Sequence, residues 1–324
     1  MGALSVVIPV WNDARGLQRL LPQLLALPQV AQIVVSDDAS KPPARETGGI
    51  SDPRILWLES PAQKGAGAAR NSGLAQVSSP HVLFFDSDDL PLPGLAALLE
   101  DLDRPETPDF DFCLFSHVDS RMRARGIPGP LESDAKHWQL ARANLGFRPA
   151  PIPPETAARL CRISAYPWNK IYRTGFLLEN GIRCTEIMVH NDVELHWQSF
   201  YRARNILVST QTCAEHFVAE DGARLTNRSG AERFEVFRAL EPLAAALRED
   251  RQRADRFAEP TADFYMQLLR WIDTVLEPGL RGPFAWKARA FVQAAITPPL
   301  FTLIAQRNPG LAARINHFLS GGPA

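Results

Sequence analysis

The chain has 324 residues, room for about two domains at a typical ~150 residues each. Apolar residues make up 45% and charged residues 22%, enough for a packed core and against wholesale disorder. Thirty-five Lys and Arg against 36 Asp and Glu leave a formal charge of -1, so no global basic field argues for nucleic acid as a partner.

In chain order, Leu4-Ser5-Val6-Val7-Ile8-Pro9-Val10 is a short β-branched run that predicts a strand buried on both faces. Leucines at 17, 20, 21, 24 and 25 predict a helix over 14–27. Residues 32–36 predict a second strand ending in Asp37-Asp38, and 54–58 a third. A helix is expected over 66–76, then a strand over 81–85 that runs into Asp86-Ser87-Asp88-Asp89. Such alternation predicts a mostly parallel α/β sheet with helices on both faces and ligand groups past the strands' carboxyl ends. Beyond Pro105 the pattern changes to a strand over 110–118, a proline-rich loop over 148–154 and helices over 155–162 and 193–202. From residue 231, Phe234, Phe237, Leu240, Leu243 and Leu247 recur at helical spacing.

Cys113, Cys161, Cys184 and Cys213 lie far apart without a CxxC pair, which suits reduced thiols rather than disulfides or a zinc site. The first residues lack the features of a secretory signal, and Pro298-Pro299 breaks the apolar stretch 291–305. The expectation is a cytoplasmic protein without a spanning helix.

The acidic run Asp86-Ser87-Asp88-Asp89 is the most informative segment. On an extended backbone Asp86 and Asp88 share a side about 6.6 Å apart, and repel by about 2.5 kcal/mol at an effective dielectric near 20. A hard cation, Mg²⁺ or Mn²⁺, relieves that repulsion and shares its remaining positions with phosphate; an acidic helix cap is the alternative. Lys64-Gly65-Ala66-Gly67-Ala68-Ala69-Arg70 resembles the start of a dinucleotide fingerprint, but Arg70 stands where the third glycine belongs. A Gly-rich lead-in to a helix, with Lys64 and Arg70 facing phosphate oxygens, fits better. Asp38 is suited to accept from a nucleobase N–H or to cap a turn, and Trp11 to stack on a base or fill the core.

Together these segments resemble the family 2 glycosyltransferases of the GT-A fold. The residues that carry the likeness are 5–12, Ile33-Val34-Val35-Ser36-Asp37-Asp38-Ala39-Ser40, Gly67-Ala68-Ala69-Arg70-Asn71-Ser72-Gly73-Leu74 and Phe84-Phe85-Asp86-Ser87-Asp88-Asp89. The resemblance implies a Rossmann-like sheet and a nucleotide-sugar donor, usually UDP-linked, with its base near Pro9, Trp11 and Asp38. It also implies a ribose and metal-diphosphate site at Asp86, Ser87 and Asp88, with Lys64, Gly65 and Arg70 alongside. Asp88 is the favoured metal ligand, with Asp86 and Asp89 as further candidates. Pro167-Trp168-Asn169-Lys170-Ile171-Tyr172-Arg173 resembles a segment of polysaccharide-building members, and Met188-Val189-His190-Asn191-Asp192-Val193-Glu194-Leu195 stands where they carry Glu-Asp, with Asn191 in place of the glutamate and Asp192 kept. The likeness makes Asp192 the general base of an inverting transfer, with helix capping as its other role and Glu194 as the fallback base.

His216 is a candidate metal or diphosphate contact, and Arg224 and Arg228 are candidates to neutralise the diphosphate, although the segment after Glu215 departs from the family pattern. The expected division is a nucleotide-sugar half over 1–105, an acceptor half over 106–229 and a C-terminal helical region over 230–324. The implied reaction moves a sugar to a glycan or lipid-linked acceptor in cell-surface polysaccharide synthesis. Two alternatives stay open: a non-catalytic nucleotide-sugar-binding partner of an assembly complex, motivated by Asn191, and a sugar nucleotidyltransferase. Residues 278–324 hold no Asp or Glu but Arg281, Lys287, Arg289, Arg307 and Arg314, interleaved with Phe284, Trp286, Phe291, Phe301 and Phe318. A helical cap on the rest of the protein is the favoured reading of that stretch, and contact with an anionic membrane the second.

Overall fold

A computed structural model describes residues 3–142, 145–217 and 228–322. Among them are nine strands: β1 (Leu4–Val10), β2 (Val30–Asp37), β3 (Ile55–Glu59), β4 (His81–Phe84), β5 (Leu90–Pro91), β6 (Phe112–Asp119), β7 (Ala150–Pro151), β8 (Lys170–Arg173) and β9 (Ile206–His216). The helices of the first half are α1 (Ala14–Leu25), α2 (Ala44–Thr47), α3 (Ala66–Leu74) and α4 (Pro93–Leu102). Then come α5 (Ser120–Ala124), α6 (Glu132–Arg142), α7 (Pro154–Leu160), α8 (Thr174–Glu179) and α9 (Val193–Arg202). After a 3₁₀ turn at Ala231–Glu235 the chain forms α10 (Val236–Glu249), α11 (Arg251–Val275), α12 (Pro278–Ala295), α13 (Pro298–Arg307) and α14 (Pro309–Leu319).

The strands make one sheet in the order β3-β2-β1-β4-β8-β6-β9-β5, with β7 beside β9. Strands β1 to β4 are parallel, as the alternating sequence predicts. β6 also runs parallel to β9, while β8 inserts antiparallel to both β4 and β6 and β5 and β7 pair antiparallel with β9, so short antiparallel strands make a mixed sheet of one whose longer ladders are parallel. An apolar strand pattern does not encode direction; the path by which the chain returns to the sheet does. The proline-rich stretch likewise contributes the two-residue β7, where Pro151 lies in a short pairing to one side of β9 and its missing N–H costs little.

The pleat divides β1 between two cores. Leu4, Val6, Ile8 and Val10 pack with Leu17, Leu20, Leu21 and Leu24 of α1 and Leu95, Leu98 and Leu99 of α4, while Val7 faces the opposite layer. Each fully buried Leu, Val or Ile contributes on the order of 1.5–3 kcal/mol relative to exposure. The second layer continues without a break into the helical region through Phe237, Leu240, Tyr265 and Leu269. A proline opens each of α12, α13 and α14, where the helix has no use for an N–H. Phe284 and Phe318 are buried there and Phe291 and Phe301 partly so, while Trp286 is 73% exposed. No single helix among the described residues is long and apolar enough to cross a membrane.

Candidate active site

The carboxyl ends of β1, β2, β3 and β4 open on one edge of the sheet, so the segments 11–13, 38–43, 60–65 and 85–89 converge there. Pro9 fits this edge because its backbone is oriented like that of Val7, towards β4, whose last paired residue is Phe84. No ladder partner remains to miss its N–H.

Asp86, Asp88 and Asp89 each bring a carboxylate oxygen to within 4.8 Å of the others. Their arrangement follows from strand register: Leu90 lies opposite Glu215, which sets the preceding Asp89 beside His216. Asp89 is fully buried and accepts from His216 Nδ1 at 2.9 Å and from the Phe217 amide at 2.9 Å. Burial works against a charged imidazole, but the hydrogen bond and charge of Asp89, with Asp86 and Asp88 nearby, hold His216 above its ordinary value. The ring also stacks on Trp168 at 5.3 Å, so its first observed task is to anchor Asp89. Ser87 donates to Asp13 at 2.7 Å, and Arg19 donates to the Asp88 carbonyl at 2.5 Å while its guanidinium lies 4.9 Å over Phe217. A cluster of carboxylate oxygens this close fits Mg²⁺ or Mn²⁺, and Asp86, Asp88 and Asp89 are the residues that could hold one.

On the nucleotide side, Asp38 accepts from the backbone N–H of Lys64 and of Gly65, both at 2.7 Å. Its two oxygens thus fasten the Gly-rich turn, while Asp37 caps its own turn through Ser40 N and Ala44 N. Gly65 adopts φ 92°, a conformation natural to glycine. Trp11 is 41% exposed, which removes it from the core and leaves its ring at the edge. A cavity of about 180 Å³ is lined by Ser36, Asp38, Leu58, Ser60 and Lys64 among others.

Helix α3 turns Gly67, Arg70 and Asn71, one i, i+3, i+4 face, toward the segment 184–192. A Cβ on Gly67 would sit 2.4 Å from the Thr185 carbonyl and 2.8 Å from Asn191 Cβ. Asn71 clasps the Cys184 backbone with both ends of its amide, at 2.9 and 3.0 Å. Arg70 was expected to face phosphate oxygens; instead Nη2 bonds Asp86 at 2.5 Å and Nη1 bonds Asn191 Oδ1 at 2.8 Å. Burial disfavours its charge, yet the Asp86 carboxylate more than offsets this and holds the guanidinium above its ordinary value.

Asp192 stands at the N-cap position of α9, but its side chain makes no capping bond. Burial pushes its carboxyl up to about 6, against the pull of Arg70. Beneath it, Lys170 is fully buried and donates to the Tyr166 carbonyl at 2.7 Å and to Asn169 Oδ1 at 2.6 Å. Burial lowers the Lys170 amine to about 7, with Asp192 and Asp134 acting in the other direction. Glu194 is engaged by the Thr185 hydroxyl at 2.5 Å. Trp168 Nε1, Asn169 Nδ2 and both His117 nitrogens have no hydrogen-bond partner among the described residues, which marks the Trp-Asn-Lys floor as polar and incompletely satisfied.

Two residues of this edge carry no prediction above. Asp13, through Gly16 N, caps α1 as well as holding Ser87, and a short acidic residue just before a leucine-periodic helix is a readable signal. Arg19 has none: on the sequence it is one more polar position between leucines. Arg224 and the residues around it, 218–227, lie outside the described residues, and Arg228 presents its carbonyl to Arg233 Nε.

Residues 5–150 match the family model for glycosyl transferase family 2. A pre-mycofactocin glycosyltransferase of Mycobacterium tuberculosis is 35% identical over 173 residues, which cover 50% of this chain and 34% of that protein. The uncharacterized glycosyltransferase YibD of Escherichia coli is 22% identical over 245 residues, covering 70% of this chain and 64% of YibD. The chain therefore spans about a third of the mycobacterial relative's length. Among solved structures, S. aureus TarS 1-349 in complex with UDP-GlcNAc has a TM-score of 0.70 at 17% identity, covering 98% of this chain and 88% of that one. That likeness shows a shared GT-A fold.

Proposed function

We propose that this chain, a family 2 glycosyltransferase of GT-A fold, moves a sugar from a UDP-sugar to an acceptor hydroxyl with inversion at the anomeric carbon. The observation that carries the reading is the three-carboxylate turn at Asp86, Asp88 and Asp89, set on the same edge as a raised, uncapped Asp192. The solved relative bound to UDP-GlcNAc supports a nucleotide-sugar donor.

In this reading Trp11 stacks on the base and the turn held by Asp38 shapes the base and ribose site, with exposed Lys64 available to phosphate. Asp88 and Asp86, backed by Asp89, would hold Mg²⁺ or Mn²⁺. When bound, the cation supplies positive charge against the departing diphosphate. Arg70 keeps Asp86 and Asn191 in place rather than touching phosphate. Asp192 accepts the acceptor hydroxyl's proton, and a carboxyl near 6 is ionised at neutral pH yet basic enough to take it. His216 acts on the site through Asp89. The division of labour is a donor half over 1–105, an acceptor half over 106–229 and a helical region over 230–324.

The acceptor in this reading is a glycan or a lipid-linked saccharide of a cell-surface polymer, and the protein works on the cytoplasmic side. Trp286, with exposed Arg281 and Lys287 on the acid-free α12, is the contact offered to an anionic bilayer. Flotation with phosphatidylglycerol vesicles tests this: Trp286→Ala with Lys287→Glu should abolish co-flotation, and equal flotation would remove the contact.

A screen of UDP-sugars with Mn²⁺, reading released UDP, tests the activity itself. Asp192-dependent release from at least one donor is expected; absence of both release and nucleotide binding would overturn the proposal.

A further inference from the structure

His190, the residue before Asn191 and Asp192, has φ 65°, a left-handed conformation that few residues besides glycine adopt, histidine being among those that enter it more readily. Such a residue costs on the order of 1 kcal/mol or more and persists only where its surroundings hold it. Here the hold comes from the helical region. Arg233, 1% exposed in the 3₁₀ turn before α10, directs Nη1 to His190 Nε2 at 3.0 Å. An arginine N–H only donates, so this imidazole nitrogen accepts and the ring is neutral with its proton on Nδ1. Burial, followed by the Arg233 charge, lowers His190 to about 3, in keeping with that state.

Arg233 is itself fixed on two further sides. Its Nε donates to the Arg228 carbonyl at 2.8 Å, and its guanidinium lies 4.6 Å over the Trp271 ring of α11. The His190 ring meets the same Trp271 edge-on at 5.6 Å. From the opposite side Arg70 holds Asn191 Oδ1 at 2.8 Å. His190 and Asn191, the two residues before Asp192, are thus each held by a buried arginine, one from the helical region and one from the donor half.

We infer that Arg233 is a positioning residue for Asp192: through His190 it sets the turn that presents the carboxylate, so that the C-terminal helices take part in presenting the proposed base. The inference rests on the transferase reading for its kinetic consequence but not for its structural one.

Two variants and two readouts test it. Arg233→Lys keeps a charge but loses the planar fork that bonds His190 and stacks on Trp271. His190→Gly accepts φ 65° freely and removes only the ring contact, which keeps the test open if Arg233→Lys folds poorly. Each should lower kcat at least tenfold with donor KM within twofold, and the double variant should be no worse than the poorer single one. Amide exchange gives the second readout: the Thr185 amide, which donates to Asn191 O at 2.9 Å, should exchange at least tenfold faster in both variants while α9 amides keep their protection. Full turnover in His190→Gly, or unchanged Thr185 exchange in both variants, overturns the inference. Failure of the transferase reading would show separately, as absent turnover in the wild type, and the exchange measurement then decides alone.

Discussion

Arg70 and Asp86 meet at 2.5 Å with side chains 6% and 25% exposed, so the helix that the Gly-rich segment begins is bolted directly to the acidic turn. Removing one partner of an enclosed ion pair leaves the other charge uncompensated, and typically costs about 3–5 kcal/mol. Asp86 retains some contact with solvent, so Arg70→Ala should lose about 3 kcal/mol of unfolding free energy in urea titration. A loss below about 0.5 kcal/mol, the usual range for surface substitutions, would show that the pair does not brace the turn.

Asp88 is half-buried, and Asp89 is the carboxylate tied to His216 and Phe217 N. Asp88→Asn should therefore weaken Mn²⁺ binding in the presence of UDP at least tenfold, with little change in melting temperature. Asp89→Ala should lower the melting temperature, since it strands a buried amide and imidazole. Calorimetric titration of Mn²⁺ with UDP checks the first; equal affinity in Asp88→Asn and wild type would reassign the metal ligand.

With Asp192 near 6, turnover should be flat above pH 7 and fall about tenfold per unit below pH 6, because only the ionised carboxylate accepts a proton. The stability sign runs the other way. A carboxyl raised above its unfolded value of 3.8 favours the folded state most when protonated, so its charged form costs stability above pH 6 and the cost disappears as pH falls. Asp192→Asn should melt at or above wild type at pH 8 and lose that advantage at pH 4. A mutant that melts lower at pH 8 would contradict this.

Gly67 leaves no room for a side chain between α3 and the 184–192 segment. A methyl there meets backbone and a tethered Asn191, neither of which swings away. Gly67→Ala should cut kcat at least tenfold while the melting temperature falls; full activity would mean the segment moves without consequence.

Asp13→Ala removes the N-cap of α1, worth about 1 kcal/mol, and the acceptor for Ser87 Oγ. Lower stability together with weaker Mn²⁺·UDP binding is expected, whereas Ser87→Ala should show only the second effect. Thermal melts and titrations on both proteins separate the two contributions.

The parallel half was legible because two-face burial forces near-continuous apolar runs, and β1 occurs at the predicted Leu4–Val10. The acidic turn was legible because three carboxylates in four residues repel without a compensating charge. β8 was not: Lys170-Ile171-Tyr172-Arg173 has no apolar run to mark a strand, and nothing local gives its antiparallel direction. Arg70 was misplaced for a related reason, since residue type suggests phosphate, and only the packing of 184–192 on α3 reveals that its two terminal nitrogens are taken.

The amino-acid order by itself determined the strand–helix alternation and the acidic turn, since each depends on residues adjacent along the chain, whereas Asp192 is a candidate base only through the family likeness. The tertiary structure alone decided which charges meet: Arg70 with Asp86, His216 with Asp89, Arg233 with His190. These contacts span 16 to 127 positions, and such pairings arise from sheet order and helix packing rather than from any local pattern.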